Sequence, residues 1–268
     1  MPTLCGLRRR GYTPAAIRSF TERNGVSKAA STVEFGFLEH CLREDLNDHA
    51  RRAMAVLRPI KLTITNYPEG QSETFEVENN PNDPAAGARP VTFSRNLYVE
   101  REDFMEAPIP KYKRLYPDGP ECRLKGAYLI QCTGCVKDES GEITEILATY
   151  DPESKGGNPA DGRKVKGATI HWVDGATAVD AQVRLYDNLF ADENPDGGDK
   201  DFLDCLNPNS LEVLEGCKLE ASLAGAQPAD RFQFLRLGYF CADSKDSKPG
   251  ALVFNRAVSL KDGFKPTK

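Results

Sequence analysis

The first part of the chain carries apolar residues at three- and four-residue steps, the spacing of one face of an α-helix. Thr13-Pro14 is a favourable helix start, and Asn24-Gly25 is a natural helix end. Residues 31–34 have the spacing of a capping box, which predicts a further helix behind them. We therefore predict that residues 1–58 form a helical segment.

At Pro59 the pattern changes to short stretches in which apolar and polar residues alternate, as they do in half-buried β-strands. The clearest predicted strands are residues 60–65, 74–77, 96–99, 142–146 and 182–185. Roughly a dozen such strands predict two sheets or barrels rather than one. Strands and helices do not alternate, which argues against a parallel Rossmann sheet. The predicted fold class is mainly β with an N-terminal helical segment.

Composition narrows the class of protein. Of the 268 residues, 40 % are hydrophobic and 28 % are charged, which is ordinary for a globular chain. No apolar run approaches the ~18 residues that a membrane span requires, and the N-terminus lacks the pattern of a secretory signal. The eight cysteines form no tight framework, so we interpret them as reduced thiols and predict a cytoplasmic protein without membrane contact.

The net charge of −5 argues against a chain coated in positive charge for non-specific nucleic-acid binding. Positive side chains nevertheless gather in three places. They are Arg8, Arg9, Arg10 and Arg18; then Lys111, Lys113, Arg114, Arg123 and Lys125; then Arg163, Lys164 and Lys166. Each group is either a solvated face or a local binding patch.

Sequence motifs for catalysis are missing. The chain has no Walker-type phosphate loop and no G-x-G-x-x-G motif. His40, His49 and His171 have no metal-ligand or triad partner at a suitable spacing, so structural roles are favoured. Cys132 and Cys135 form a C-x-x-C pair, but a structural zinc needs four ligands and no second pair has suitable spacing. The residues therefore favour a binding module over an enzyme, with no catalytic and no metal-binding residue.

Several stretches together resemble one family, the class I glutaminyl-tRNA synthetases. They are GLRRRGYT at 6–13, REDLN at 43–47, RAMAV at 52–56, PADGRKVKG at 159–167, IHWV at 170–173, RLYD at 184–187, FQFLRLGYFC at 232–241 and VFNR at 253–256. They follow one another in family order and cover essentially the whole chain. The resemblance rests on their combination rather than on any single stretch.

The resemblance implies a division of the chain into three parts. Residues 1–58 would be a helical connecting segment that contacts the inner bend of a tRNA. Residues 59–99 and 177–268 would form a proximal β-barrel, and residues 100–176 would form a distal β-barrel inserted in it. This is the family's ribosomal-protein-like anticodon-binding fold, in which the anticodon is splayed between the two barrels.

The resemblance also implies the partners. The family's ATP-binding motifs precede the point at which this chain begins, so ATP and Mg²⁺ are expected to act in the catalytic domain of a larger glutamine–tRNA ligase. The chain itself is expected to bind no cofactor, to be inactive alone, and to bind the anticodon loop of tRNA(Gln) as a monomer.

Three anticodon contacts follow from the resemblance. Arg114 lies just after a Tyr-Lys pair and would read the G at the third position, whose O6 and N7 acceptors suit an arginine fork. Gln233 would read the middle U, because its amide offers both a donor and an acceptor, with Arg52 as its partner. Arg123 and Lys125 would face the first-position pyrimidine.

Further contacts to base or backbone are implied for Asn47, Asn82, Lys113 and Arg236. Lys111 belongs to the same predicted surface. Three positions depart from the family pattern, and they are Lys111, Lys125 and Leu235.

Two alternatives stay open at this point. The chain could be the anticodon-binding region of an archaeal or eukaryotic-type glutamyl-tRNA synthetase, which shares the barrels. It could also be a freestanding β-barrel RNA-binding protein without ligase activity.

Overall fold

Helices form the beginning of the computed structural model, which describes residues 3–28, 33–192 and 201–261. They are α1 (Leu4–Arg10), α2 (Pro14–Asn24) and α3 (Phe35–His49). The Thr13 side chain accepts a hydrogen bond from the Ala16 N–H at 3.0 Å, and Gly25 follows α2 with a φ of 71°, so both predicted ends of this helix are confirmed. The first two residues of the predicted capping box, Ser31 and Thr32, lie outside the described residues. None of the described helices is long and apolar enough to cross a membrane.

The strands that follow form two seven-stranded sheets and one hairpin. They are β1 (Arg51–Ala53), β2 (Ala55–Val56), β3 (Pro59–Ile64), β4 (Ser72–Glu78), β5 (Ala88–Ser94), β6 (Asn96–Glu100), β7 (Cys122–Leu124), β8 (Leu129–Lys137), β9 (Ile143–Tyr150), β10 (Thr169–Ile170), β11 (Val173–Asp174), β12 (Val179–Tyr186), β13 (Leu211–Leu219), β14 (Arg231–Phe234), β15 (Gly238–Ala242) and β16 (Leu252–Ser259). Both sheets are barrel-like, which confirms the predicted fold class.

The first barrel has the strand order β1-β14-β15-β16-β12-β13-β2. Residues 51–56 supply the strands at both edges, because β1 pairs with β14 and β2 pairs with β13. The sheet thereby curls back on itself and few edge hydrogen-bonding groups stay unpaired. The prediction that the helical segment extends to residue 58 is therefore wrong for residues 51–56. Their side chains from Ala53 to Val56 are almost fully buried, so packing in the barrel overrides the helix-compatible local sequence.

The second barrel has the order β10-β7-β8-β9-β3-β6-β11, and residues 169–174 supply both of its edge strands. The β4–β5 hairpin lies in the chain between β3 and β6. β3 and β6 pair with each other, and β3 also pairs with β9. Residues 59–99 were predicted to share the proximal barrel with residues 177–268. The structure separates them, because β3 and most of β6 hydrogen-bond within the second sheet, whereas β12 to β16 lie in the first. Local alternation predicts a strand but not its partner, since pairing is a contact between distant residues.

Each barrel has its own apolar core. The second barrel is filled around Phe93 and Trp172, and the first around Phe234, Phe240 and Phe254. A smaller cluster packs the helices against the outside of the first barrel, with Tyr12, Leu42, Leu46, Tyr239 and Val258 at its centre. This packing places the C-terminal end of α3 beside β1, β14 and β15.

Buried carboxylates join the two barrels. Glu100 at the end of β6 accepts hydrogen bonds from the backbone N–H groups of Leu57 (2.8 Å) and Arg58 (3.0 Å), between β2 and β3. Burial alone would raise the pKa of Glu100, but the nearby His171 ring and the hydrogen bonds from these N–H groups outweigh it and lower that pKa. Glu220 similarly accepts from the Met54 N–H at 2.8 Å. The carboxylates thus fix the short connection on which the orientation of the barrels depends.

Candidate nucleic-acid interface

Three neighbouring strands place polar side chains next to one another on one face of the first barrel. In the register of the sheet, Arg52 on β1 is opposite Gln233 on β14, and Gln233 is opposite Tyr239 on β15. Directly opposed residues in a sheet have their Cβ atoms roughly 5 Å apart. The fold therefore brings together Arg52 and Gln233, which are 181 positions apart in the chain.

Gln233 is 9 % exposed and lies between two buried phenylalanines. Its Nε2 donates to the Tyr239 hydroxyl at 3.2 Å, and that hydroxyl donates to Asn47 Oδ1 at 3.5 Å. Burial raises the pKa of the Tyr239 hydroxyl, which therefore remains a neutral donor and acceptor at physiological pH. Sequence reasoning missed Tyr239, although its place across a short turn from Gln233 is the kind of pairing that a hairpin prediction provides.

Arg52 is held from two sides. Its Nη1 donates to Asn80 Oδ1, and its Nη2 donates to Asn47 Oδ1 at 3.2 Å. Asn80 also accepts from the Asn82 N–H at 2.9 Å and donates to the Asp48 carbonyl at 2.9 Å. Sequence reasoning missed Asn80, whose signal is its position before Pro81 in a turn rich in asparagine. We call Asn47, Arg52, Asn80, Asn82, Gln233 and Tyr239 the amide cluster.

A second group of predicted residues gathers around one carboxylate. Asp103 is 1 % exposed and forms two hydrogen bonds of 2.7 Å with Arg236, one to each carboxylate oxygen. Arg114 approaches the same carboxylate from the other side, with 3.1 Å between its Nη1 and Asp103 Oδ1. Burial would lower the pKa of Arg236, but the bonds to Asp103 outweigh it and raise that pKa. Sequence reasoning did not single out Asp103, because one acidic residue among many carries no local signal.

An open groove of about 750 Å³ lies beside this carboxylate and is lined mainly by residues 101–114. Arg114 lines it with a side chain that is 40 % exposed, and Lys111 and Lys113 add exposed ammonium groups. Lys111 occupies the left-handed region with a φ of 68°. Ile109 and half-buried Tyr112 give the groove apolar walls, and burial raises the pKa of Tyr112 to about 12. Cations beside apolar and aromatic surface suit a single-stranded nucleic acid, which presents phosphates and unstacked bases.

The remaining two predicted residues lie on or beside β7, next to this groove. Ala168 donates its N–H to the Lys113 carbonyl at 2.7 Å and accepts at 3.0 Å from the Arg123 N–H, so it lies between the two segments. Arg123 is half-buried and donates from Nε to the Gly157 carbonyl, whereas the Lys125 side chain is exposed. Lys125 thus offers an exposed charge, while Arg123 is anchored on the Gly157 carbonyl.

The other two basic stretches contain arginines with close acidic partners. Arg163 pairs with Glu121, Asp151 and Asp161 at 2.6 to 3.0 Å, and these bonds raise its pKa. Arg9 pairs with Asp243 at 2.8 Å. The group from Lys111 to Lys125 differs, because its lysines extend exposed ammonium groups beside a groove.

Two protein-family models match the parts of the chain that carry this site. The family model described as "tRNA synthetases class I (E and Q), anti-codon binding domain" matches residues 50–151, and a second model of the same description matches residues 169–243. These ranges include all but one of the predicted contact residues, the exception being Asn47 on α3.

Full-length relatives are similar over nearly the whole chain. The glutamine–tRNA ligase of Clostridium perfringens is 56 % identical over 265 residues, which is 99 % of this chain and 48 % of the relative. That of Bradyrhizobium diazoefficiens is 52 % identical over 264 residues, and that of Pseudomonas syringae pv. tomato is 53 % identical over 266. Both alignments cover 98 % of this chain and 46 % of the relative, so the chain spans about half the length of these proteins. The chain belongs to the class I tRNA synthetases for glutamate and glutamine and carries their anticodon-binding domains.

Proposed function

We propose that this chain reads the anticodon of tRNA(Gln) as part of a glutamine–tRNA ligase. The observation that carries the proposal is the amide cluster, together with the groove that Arg114 lines. Arg236 links the two, since it follows β14 by two residues and binds Asp103 beside Arg114. The curated relatives described above are all glutamine–tRNA ligases, which favours glutamine over the glutamate alternative.

The middle U of a glutamine anticodon presents an acceptor at O4 and a donor at N3. The Gln233 amide matches both groups, and its present partner, the Tyr239 hydroxyl, can be exchanged for a base. Arg52 and Asn82 are aligned by Asn80 to contact the same base or its phosphate. Recognition of unstacked bases through their Watson–Crick edges is the usual mode for single-stranded RNA loops.

The third G is assigned to Arg114, whose guanidinium borders the groove. An arginine fork bonds two guanine acceptors at once, which no pyrimidine offers in the same geometry. Lys111 and Lys113 neutralise phosphates around it, Arg236 supports the site through its two bonds to Asp103, and Arg123 and Lys125 face the first-position pyrimidine. Phosphate contacts add affinity without base preference.

The activity of the whole protein is part of the same proposal. The relatives' remaining length would supply the catalytic domain that activates glutamine with ATP and Mg²⁺ and transfers it to the tRNA. The chain would bind no cofactor itself and would act in the cytoplasm as part of a monomeric enzyme.

The test is binding of the 268-residue chain to synthetic RNA stem-loops that carry CUG or CUC as anticodon, at one low salt concentration. These loops differ only in the third base. We expect tighter binding to CUG, with Arg114→Ala removing most of the preference, worth about 1–3 kcal/mol. Equal binding of both loops by the unmodified chain would contradict glutamine-type reading, and a preference for CUC would favour the glutamate alternative.

A further inference from the structure

We propose that Asp103 is a positioning residue that sets specificity for the third anticodon base by holding Arg114 in place. This inference rests on the proposed role of Arg114 as the reader of that base. Asp103 itself is too deeply buried to contact RNA, at 1 % exposure, so its effect must pass through the arginines that bind it.

The backbone around Asp103 is rigidly held. The Asp103 carbonyl accepts from the Leu115 N–H at 3.0 Å, and the Met105 N–H donates to the Leu115 carbonyl at 3.0 Å. These two bonds clamp residues 103–105 against the residue that follows Arg114. The carboxylate is therefore a fixed point from which an arginine at position 114 can be aimed.

Arg236 and Arg114 bind Asp103 in different ways. Arg236 occupies both carboxylate oxygens, and its Nη1 also lies 3.2 Å from Nδ1 of the buried His171. His171 Nε2 faces Glu100 at 3.4 Å, so this side of the network is anchored in the connection between the barrels. Arg236 thus neutralises Asp103 whether or not RNA is bound, and Arg114 has the more adaptable contact.

Arg114 is bound in a way that leaves its fork available. Its contacts to Asp103 Oδ1 (3.1 Å) and to the Glu102 carbonyl (3.4 Å) both use Nη1. Among the residues that the structure describes, Nη2 and Nε of Arg114 donate to no protein group, and an arginine needs two N–H groups to bond guanine O6 and N7. The protein contacts therefore orient the guanidinium without occupying the donors that read the base.

The negative charge of Asp103 predicts opposite effects on overall RNA binding and on base preference. A buried negative charge beside an RNA groove disfavours phosphate, so its removal is expected to maintain or strengthen overall binding. Its removal also frees Arg114 to adopt other rotamers, and fixing such a side chain again on binding costs about 0.5–1.5 kcal/mol. Since about 1.4 kcal/mol corresponds to a factor of ten, the preference for CUG over CUC is expected to fall about twofold to tenfold.

The experiment compares four forms of the 268-residue chain, namely the unmodified chain, Asp103→Asn, Arg114→Ala and the double variant, against CUG and CUC stem-loops. In Asp103→Asn the ratio of the affinity for CUG to the affinity for CUC should fall, while binding of CUC is unchanged or tighter. In the Arg114→Ala background, Asp103→Asn should leave the ratio unchanged, because its effect depends on Arg114. Glu139→Gln is the matched control, since it removes one negative charge from an exposed side chain between β8 and β9, outside the groove, and should not change the ratio.

If Asp103→Asn folds and leaves the ratio unchanged, the positioning role of Asp103 is overturned. If Arg114→Ala still lowers the ratio in that case, the role of Arg114 survives. An unchanged ratio in Arg114→Ala would overturn both. If Asp103→Asn lowers the ratio as much in the Arg114→Ala background as in the unmodified chain, the proposal for Asp103 is also overturned, since Asp103 would then act through other residues. If thermal unfolding shows that Asp103→Asn does not fold, Asp103→Glu takes its place. Because this variant keeps the charge and displaces the carboxylate by one methylene, the outcomes stated for the ratio apply to it and the gain in CUC binding does not.

Discussion

The amide cluster depends on Asn80, and replacing this residue by alanine tests whether the cluster is a structural unit. Asn80 is 4 % exposed and uses its side chain for three hydrogen bonds, to the Arg52 guanidinium, the Asn82 N–H and the Asp48 carbonyl. A bond to a charged group contributes about 1.5–3 kcal/mol and a neutral one about 0.5–1.5 kcal/mol. Because water can reach the exposed Asn82 and Asp48 once the side chain is removed, we expect a loss of about 2–4 kcal/mol in the free energy of unfolding.

Urea unfolding of the chain measures this loss. Asn66→Ala is the control, because the exposed Asn66 side chain makes two bonds of 2.9 Å to the Tyr150 backbone at the ends of β3 and β9 in the second barrel. We expect that variant to lose about 1 kcal/mol or less, as exposed sites usually do. Asn80→Ala should also reduce the preference for CUG over CCG stem-loops, since Arg52 and Asn82 lose their common anchor. A loss no larger than that of the control would refute the reasoning that Asn80 holds the cluster together.

Three further outcomes are expected. Lys113→Ala should weaken binding of CUG and CUC loops equally and reduce the slope of log affinity against log salt by about 1, and a base-dependent loss in salt titrations would contradict this. Burial would raise the pKa of Asp243, but hydrogen bonds from Arg9 and other donors lower it far more. The stabilising effect of the Asp243 carboxylate is therefore complete above the unfolded pKa of about 3.9 and is lost as pH falls below that value. Asp243→Asn should flatten the decline of the unfolding free energy in acid. Glu220→Ala removes the carboxylate partner of the buried Arg89 on β5 and should cost about 3–5 kcal/mol in urea unfolding. A cost below about 1 kcal/mol would show that this pair contributes little to holding the β4–β5 hairpin against the first barrel.

Local rules determined much of the fold. The caps at Thr13 and Gly25 bound a helix in the structure as predicted, because capping is a contact between near neighbours. All five predicted strands lie within or overlap observed ones, since alternation reports a strand that is buried on one face. Residues 51–56 were predicted to be helical and are strands instead, because the two open edges of the first barrel bind them.

Sequence by itself also determined the family and the chemistry available to it, as the motif at 232–241 and the basic residues at 111–125 show. Only the tertiary structure decided which groups meet. It paired β3 and β6 with β9 and β11 rather than with the first barrel, and it placed Arg114 and Arg236 on the single carboxylate of Asp103. Such pairings join residues far apart in the chain, and their energies depend on burial and on competing charges. No local pattern encodes these quantities.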